Sequence, residues 1–295
     1  MNEGIFFKLS SPHRGEEKDE GDRLLSRTPS PFPSPQRGEG RCLTLWPIIG
    51  IWILFVIWCL EFGILNNRAQ FVKDGILYIV ATPIGNLKDI TLRAIETLKS
   101  VDLIAAEDTR HTRKLLSHYD IHKPLTSYFQ HNQATKTDYI IRQLKDGKSV
   151  ALVSDAGTPG ISDPGFVVIR EAIKQGIKIQ AIPGPSALIV GLVLAGLPTD
   201  KFVFEGFLLA KSAARKKQLQ ALTEERRTII LYESPHRILK TLKDMVDIMP
   251  QAEICCVREA TKVFEEVVRG KPVYLLEHFS KNTPKGEFIL VVDIS

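Results

Sequence analysis

Cysteine is scarce in this sequence, with four residues among 295. Cys255 and Cys256 are adjacent in a strand-like run, where a bond between the two would need strained geometry. No C-x-x-C pair occurs, which argues against a zinc knuckle and makes a reducing compartment the default. Methionine is also rare: it occurs at positions 1, 245 and 249, so no Met marks a later start near the N-terminus.

Several common ligand fingerprints are missing as well. No G-x-G-x-x-G pattern follows the first apolar strand, and no G-x-S-x-G nucleophile elbow occurs. Gly147-Lys148-Ser149 resembles the end of a phosphate-binding P-loop, but Arg142 stands where its first glycine belongs and a strand follows. The seven histidines show no H-E-x-x-H pattern and no cysteine partner at ligand spacing, so we expect no metal site.

The overall composition is that of a globular protein, with 44% hydrophobic and 25% charged residues, which excludes a mostly disordered chain. The formal net charge is +5, and the whole surplus lies in residues 76–295, which hold 30 Lys and Arg against 25 Asp and Glu. A modest positive excess suits a polyanionic partner, but it is also found in proteins that contact no nucleic acid.

The first 74 residues differ in composition from the rest. Residues 1–41 are rich in Ser, Pro, Gly, Arg and Glu and are predicted to be disordered, because they cannot bury enough apolar surface to offset ordering. Residues 42–65 begin with an uncharged run, Cys42 to Leu60, about as long as the ~20 residues that a membrane helix needs. Two interpretations stay open: a membrane tether, or an over-extended reading frame in which Val72 marks a non-AUG start.

From residue 75 onward short apolar runs alternate with helical patterns. Apolar runs at 76–81, 101–106, 149–153 and 177–182 each end in a loop that precedes residues at helical spacing. This alternation predicts an α/β fold with a largely parallel sheet that is covered on both faces.

After Pro198 the pattern changes. Strands are predicted at 202–206, 228–232, 253–258, 263–269 and 287–293, the last of them linked by short connections, which favours a mixed sheet. We therefore place one α/β domain at 75–197 and a second at 198–295, with a cleft for a small ligand between them.

Glycine and proline cluster in three loops that follow strands of the first domain, at 82–86, 154–165 and 183–187. In open α/β sheets the ligand crevice lies outside the carboxyl ends of the strands, and glycine lets the backbone approach a ligand closely. Glycine and proline also punctuate ordinary turns. Three such loops at successive strand ends nevertheless predict a binding site.

Five strings at these loops and strand ends carry a resemblance. They are A-T-P-I-G-N-L at 81–87, A-E-D-T-R at 106–110, S-D-A-G-T-P-G-I-S-D-P-G at 154–165, P-G-P-S-A at 183–187 and Y-E-S-P-H-R at 232–237. Together, and in order over residues 76–293, they resemble the ribosomal RNA small-subunit methyltransferase I family, a branch of the tetrapyrrole methylase superfamily. The resemblance implies two α/β domains of the tetrapyrrole methylase type (class III methyltransferases), with the cofactor in the cleft between them.

The same resemblance implies an activity and its partners. The enzyme would transfer a methyl group from S-adenosylmethionine (SAM) to the ribose 2′-oxygen of a cytidine in the decoding region of 16S rRNA. It would act on the 30S subunit as a cytoplasmic homodimer. The cofactor-binding positions implied by similarity are Pro83, Gly85, Asp155, Ala156, Gly157, Ser186, Ala187, Tyr232 and Ala260.

Such a transfer requires that donor and acceptor are aligned and that a proton leaves a weakly acidic hydroxyl. Glu107 and Asp108 are candidate bases because two adjacent carboxylates end a buried strand at the cleft edge. His236 is another candidate, beside Arg237. Both carboxylates could instead cap the following helix or pair with Arg110, an interpretation that we favour for Asp108.

An RNA partner also requires cationic contacts with phosphates. A predicted helix at 211–224 opens with basic residues, and further cations lie in the motif loops. The residues predicted to contact RNA are Arg110, Lys211, Arg215, Lys216, Arg237, Arg258 and Lys262. A solvated basic helix face is the alternative interpretation.

Two other function classes stay open. The chain could be a methyltransferase of the same superfamily that acts on a tetrapyrrole or on a protein side chain. It could also be a non-catalytic, membrane-tethered module that binds SAM or RNA, in which case residues 42–60 would be the informative part.

Overall fold

The computed structural model of the chain describes residues 75–294. They form ten strands, arranged in two five-stranded sheets, and eight α-helices that pack on these sheets. The predictions for 1–41 and 42–65, including the possible membrane helix, lie outside the described residues. Within 75–294, no helix combines the length and apolar character that crossing a bilayer requires.

The first half is a parallel sheet covered by helices on both faces. Its strands are β1 (Ile76–Val80), β2 (Leu103–Ala106), β3 (Leu125–Ser127), β4 (Val150–Val153) and β5 (Lys178–Ile182). The helices between them are α1 (Leu92–Ser100), α2 (Thr109–His118), α3 (Gln133–Lys145) and α4 (Gly165–Lys174). The strand order is β3-β2-β4-β1-β5, with α3 and α4 on one face and α1 and α2 on the other. Strands β2 and β4 are therefore buried along their whole length, as their apolar sequences require.

Helix starts in this half follow from local side chains. The Thr91 hydroxyl accepts a hydrogen bond from the Ala94 N–H at 3.1 Å and so caps the start of α1. Asp163 accepts from the Gly165 N–H at 2.7 Å and so satisfies the first turn of α4. Pro164 lies at the N-cap position, immediately before the first helical residue.

The second half is a mixed sheet. Its strands are β6 (Phe202–Phe207), β7 (Thr228–Glu233), β8 (Glu253–Arg258), β9 (Glu266–Gly270) and β10 (Phe288–Asp293). Its helices are α6 (Ser212–Leu222), α7 (Ile238–Ile248) and α8 (Pro272–Ser280), which pack together on one face. The order is β6-β7-β10-β8-β9, and β10 runs antiparallel to both of its neighbours.

Helix α5 (Ala187–Ala195) follows the last strand of the first sheet but packs on the second. It covers the face of β7, β8 and β10 that α6 to α8 leave open. Gly191 lies so close to β10 that an added Cβ would stand 2.6 Å from Ile289 Cγ2. The helix is apolar on all sides, and its outer side chains Ile189 and Val193 are 47% and 71% exposed. Helix α5 therefore joins the two halves by packing as well as by chain continuity.

The structure confirms the alternation of strands and helices and corrects three details of the prediction. Strand β3 was not predicted, because three residues at a sheet edge give almost no periodic signal. The connection from β9 to β10 is not short, since it contains α8. The strand predicted at 263–269 starts at Glu266, because the preceding loop turns sharply with positive φ at Glu259 and Thr261. The domain boundary near residue 197 stays a prediction.

Candidate active site

A cleft of about 480 Å³ opens where the strands of the first sheet end. The loops that follow β1, β2 and β4 line one side, and the ends of β6 and β7 with the start of β10 line the other. The volume lies within the ~300–1,000 Å³ that is typical of small-molecule sites. The parallel sheet thus presents its carboxyl edge to the second half, as expected for a ligand crevice.

The glycine-rich loop 154–165 is held in place by the loop after β1. The Thr82 N–H donates to the Gly157 carbonyl at 2.9 Å, and the Gly157 N–H donates back at 3.0 Å. The Thr82 hydroxyl donates to the Ser154 carbonyl at 3.2 Å. Gly157 has a φ of 78°, a conformation that favours glycine. These bonds hold residues 155–157 at the cleft surface.

Three carboxylates gather on the first-sheet side of the cleft. Asp155 accepts a hydrogen bond from the Asp108 N–H at 2.9 Å, which ties the end of β2 to the glycine-rich loop. Burial raises the pKa of Glu107 above its usual value, and the charges of Asp155 and Asp163 raise it further. Burial also raises the pKa of Asp163, although backbone N–H groups of its own loop counteract this. A raised pKa makes Glu107 a stronger proton acceptor than an exposed carboxylate.

All charged side chains that line the cleft are acidic. Within the part of the chain that the structure describes, no Lys, Arg or His is among the lining residues. The acidic lining residues are Glu107, Asp155, Asp163, Glu233 and Glu287. Like charges repel strongly at short range in a partly buried site, so a phosphate-bearing ligand is disfavoured here. A small organic cation suits the lining better.

The second-sheet side supplies an aromatic wall. The rings of Tyr232 and Phe207 meet edge to face with centroids 5.8 Å apart, and burial raises the pKa of the Tyr232 phenol. The buried carboxylate of Glu233 accepts from the Thr241 hydroxyl at 2.6 Å and pairs with Arg237 at 3.2 Å. Arg237 also donates to the Leu208 carbonyl. Its charge therefore offsets that of Glu233 and fixes the turn before α7.

Most of the predicted cofactor residues line this cleft. Those that do are Asp155, Ala156, Gly157, Ser186, Ala187, Tyr232 and Ala260. Pro83 and Gly85 are not among the lining residues, whereas Ile84 between them is. Pro83 is buried, and Gly85 faces Lys262 so closely that an added Cβ would lie 2.3 Å from Lys262 Cγ. The predicted contacts of Pro83 and Gly85 with a cofactor are therefore not supported by their positions, and the roles of the other seven remain proposals.

Of the three candidate bases, Glu107 alone lines the cleft. Asp108 caps α2, and its hydrogen bond with Arg110 holds its pKa at about 2. His236 is exposed in the turn before α7 and is not a lining residue. The geometry therefore favours Glu107 over the other two.

Arg215 is the clearest correction to the predicted RNA contacts. Its side chain is 2% exposed and lies 2.6 Å from the carboxylate of Asp244, so it cannot meet a phosphate. The burial arises because α6 packs against α7 through this pair.

The other predicted RNA contacts differ in how free they are. Lys211 is exposed, and the guanidinium of Arg110 is exposed beside Asp108. Each of the remaining four forms an ion pair with a carboxylate. The pairs are Lys216 with Asp247, Arg237 with Glu233, Arg258 with Glu266, and Lys262 with Glu259 and Glu287.

Sequence reasoning missed several residues of the cleft. Asp163 and Glu233 lie inside two of the motif strings, at 154–165 and 232–237, so their place in the cleft could have been predicted from those motifs. Phe207, Glu287 and Ile289 belong to no motif and reach the cleft because β6, β7 and β10 are neighbours in the second sheet.

Comparisons with known proteins identify the family of the chain. A family model of tetrapyrrole (corrin/porphyrin) methylases matches residues 76–272. Ribosomal RNA small subunit methyltransferase I of Synechocystis sp. is 53% identical over 219 residues, which is 74% of this chain and 78% of that protein. The protein of the same name from Thermotoga maritima is 47% identical over 218 residues, which is 74% of this chain and 98% of that protein.

Solved structures share the fold at low sequence identity. Diphthine synthase superposes with a TM-score of 0.60 at 17% identity, covering 74% of this chain and 90% of that one. Cobalt precorrin-4 methyltransferase superposes with a TM-score of 0.58 at 17% identity, covering 74% of this chain and 94% of that one. Uroporphyrin-III C-methyltransferase from Thermus thermophilus, in complex with S-adenosyl homocysteine, superposes with a TM-score of 0.53 at 17% identity. The superposition covers 74% of this chain and 97% of that one.

Proposed function

The chain belongs to the tetrapyrrole methylase family, in its ribosomal RNA small subunit methyltransferase I branch, and on this premise we propose that it methylates a ribose of 16S rRNA. The methyl donor is SAM, and the acceptor is the 2′-oxygen of a cytidine in the decoding region. The observation that carries the proposal is the acidic cleft at the strand ends, which lacks a cationic lining residue in the described chain. SAM is positively charged at its sulfonium and amino groups, so such a lining suits it.

The residues of the cleft fit this cofactor. Gly157, Ala187 and Ala260 carry little or no side chain, so a ligand can approach the backbone at these positions. Tyr232 and Phe207 provide aromatic surface for a nucleoside. The Ser186 side chain makes no capping hydrogen bond, which leaves N–H groups at the start of α5 available to a carboxylate or hydroxyl.

The protein contributes alignment and the removal of one proton, while SAM supplies an electrophilic methyl group. Alignment can lower a barrier by ~7–11 kcal/mol, whereas a general base typically contributes ~10²–10⁴-fold in rate. We assign proton removal to Glu107, because it lines the cleft and has a raised pKa. Asp155 and Asp163 support this role, since their negative charges favour the protonated form of Glu107.

A labelling experiment tests the proposal. The purified chain is incubated with methyl-tritiated SAM and 30S subunits, protein-free 16S rRNA or a tetrapyrrole, and the RNA is digested to nucleosides. We expect label in 2′-O-methylcytidine from one or both RNA substrates. Label in a base, in ribosomal protein or in the tetrapyrrole alone contradicts the proposal, as does a calorimetric titration of the folded chain with SAM that shows no binding.

We further propose that the protein works in the cytoplasm on the assembled 30S subunit, as a homodimer. A helix that is apolar on all sides is normally buried all round, yet the outer side of α5 exposes Ile189 and Val193. A second copy of the chain would cover this surface. The 30S subunit is supported by the family membership, because the relatives are named for the small ribosomal subunit.

A further inference from the structure

The cleft that suits SAM is unfavourable for RNA phosphates. Its acidic lining repels the RNA backbone, so cations outside the cleft must hold the strand while one ribose reaches the donor. The helix predicted for this role, α6, is poorly suited to it. Arg215 is buried against Asp244, and Lys216 is paired with Asp247 at 2.6 Å.

Helix α2 carries a basic surface that fits the role. Four of its residues follow one another at i, i+3, i+4 and i+8, a spacing that places them on one side of a helix. All four are exposed, and we call them the basic stripe: Arg110, Arg113, Lys114 and His118. The opposite side of α2 packs into the core of the first half through Leu115 and Leu116. The stripe is therefore the outer face of a firmly anchored element.

The arginine and lysine charges of the basic stripe are largely uncompensated. Helix α2 contains no Asp or Glu. Arg113 and Lys114 make no side-chain hydrogen bond or ion pair with any residue in 75–294. Arg110 is paired with Asp108, but its side chain remains 85% exposed and keeps guanidinium N–H groups accessible.

The stripe also begins at the edge of the cleft. Glu107 lines the cleft, Asp108 caps α2, and the Asp108 N–H is bound to Asp155, another lining residue. From Arg110 to His118 the stripe extends ~12 Å along the helix axis. An RNA strand whose ribose enters the cleft would therefore bring its neighbouring phosphates to Arg110, Arg113 and Lys114.

We propose that the basic stripe of α2 binds the phosphate backbone of the RNA strand beside the methylated nucleotide. This inference rests on the proposed function and adds where the RNA lies on the protein. Arg113 and Lys114 are the central contacts, because they are basic, exposed and free of carboxylate partners in the described chain.

A salt titration of RNA binding tests the proposal. Protein-free 16S rRNA is titrated with the parent chain, with an Arg113→Gln/Lys114→Gln variant and with a Lys99→Gln/Lys178→Gln control. Lys99 and Lys178 are exposed at the opposite edge of the first sheet, where α1 ends and β5 begins. Each phosphate contact contributes ~0.7 to the slope of log K against log salt for a single strand, so the α2 variant should lose about 1.4 in slope. Between about 50 and about 200 mM salt, the fold loss of RNA affinity should be about seven times smaller for the α2 variant than for the parent.

The control, and an Arg113→Lys/Lys114→Arg variant that keeps both charges, should retain the parental slope. All variants should keep the parental SAM affinity, which shows that the cleft is intact. An α2 variant with the parental slope overturns the inference. So does an α2 variant that binds 30S subunits more weakly but protein-free RNA normally, because it points to a ribosomal protein as the partner. If the slopes of parent and α2 variant differ as expected but the parent transfers no methyl group, the proposed function is contradicted. The stripe is then still supported as an RNA-binding surface.

Discussion

At the scale of single residues, Glu107 and Asp108 show how adjacent carboxylates acquire different chemistry. Both follow β2, a strand buried over its whole length. Glu107 faces the cleft, where burial and two neighbouring carboxylates raise its pKa. Asp108 faces Arg110, and that contact holds its pKa at about 2. Environments that move two pKa values apart often mark a division between an acid–base group and a structural one.

We expect Glu107→Gln to lower the rate of methyl transfer by ~10²–10⁴-fold with little change in SAM affinity, because the amide cannot accept the proton. The parental rate should fall as the pH drops through the raised pKa of Glu107, and the variant should lose this dependence. Single-turnover rates over a pH series provide the measurement. An Asp108→Asn variant is the comparison, and its rate of methyl transfer should fall less than that of Glu107→Gln. Parental turnover in Glu107→Gln would exclude Glu107 as the base.

The same substitution should stabilise the folded protein at neutral pH. The folded-state pKa of Glu107 is raised above its usual 4.5, so folding disfavours the carboxylate form. This penalty is present above the raised pKa and disappears as the pH falls below the usual value. In urea unfolding we expect Glu107→Gln to have a higher midpoint than the parent near pH 7 and the same midpoint near pH 4. A lower midpoint at neutral pH would contradict the environment described here, and Glu96→Gln on the exposed side of α1 is the control.

At the scale of elements, α6 shows what a sequence pattern cannot reveal. Its run of Lys and Arg is typical of a solvated face, yet Arg215 is buried because Asp244 on α7 lies opposite. The Arg215 guanidinium also donates to the Ala210 carbonyl, and Ser212 donates to Asp244. These partners are brought together by the packing of two helices, which the spacing of residues within one helix does not encode.

We expect Arg215→Met to destabilise the protein by ~3–5 kcal/mol, because it leaves the Asp244 carboxylate buried without its main partner. A Lys217→Met variant, on an exposed position of the same helix, should change stability by less than ~0.5 kcal/mol. Urea unfolding measures both. An Arg215→Met chain with parental stability and weakened RNA binding would restore Arg215 as an RNA contact.

At the scale of the whole molecule, the two halves differ in how much of the site the sequence predicts. Glycine and proline strings mark the strand ends of the first half, and a parallel sheet brings such ends to one edge, so this side of the cleft was predicted. On the second side, Phe207 and Ile289 carry no local signal. They reach the cleft through strand order, which depends on contacts between residues far apart in the chain.

The exposed side of α5 leads to a prediction about assembly. If a second copy covers it, Val193→Asp should convert a dimer into a monomer, because a buried unpaired carboxylate is strongly unfavourable. Sedimentation equilibrium of the parent and the variant measures the change, and SAM affinity of the variant checks its fold. A parent chain that sediments as a monomer at micromolar concentration, or a variant that remains a dimer, contradicts the proposed homodimer.

The carboxylates around the cleft also bear on turnover. Methyl transfer converts the sulfonium of the donor into a neutral thioether, so the spent cofactor carries one positive charge fewer. Acidic walls without a cationic lining residue among the described residues attract the fresh donor more strongly than the by-product. The negative charge of the cleft thus favours the exchange of used cofactor for new at the end of each turnover.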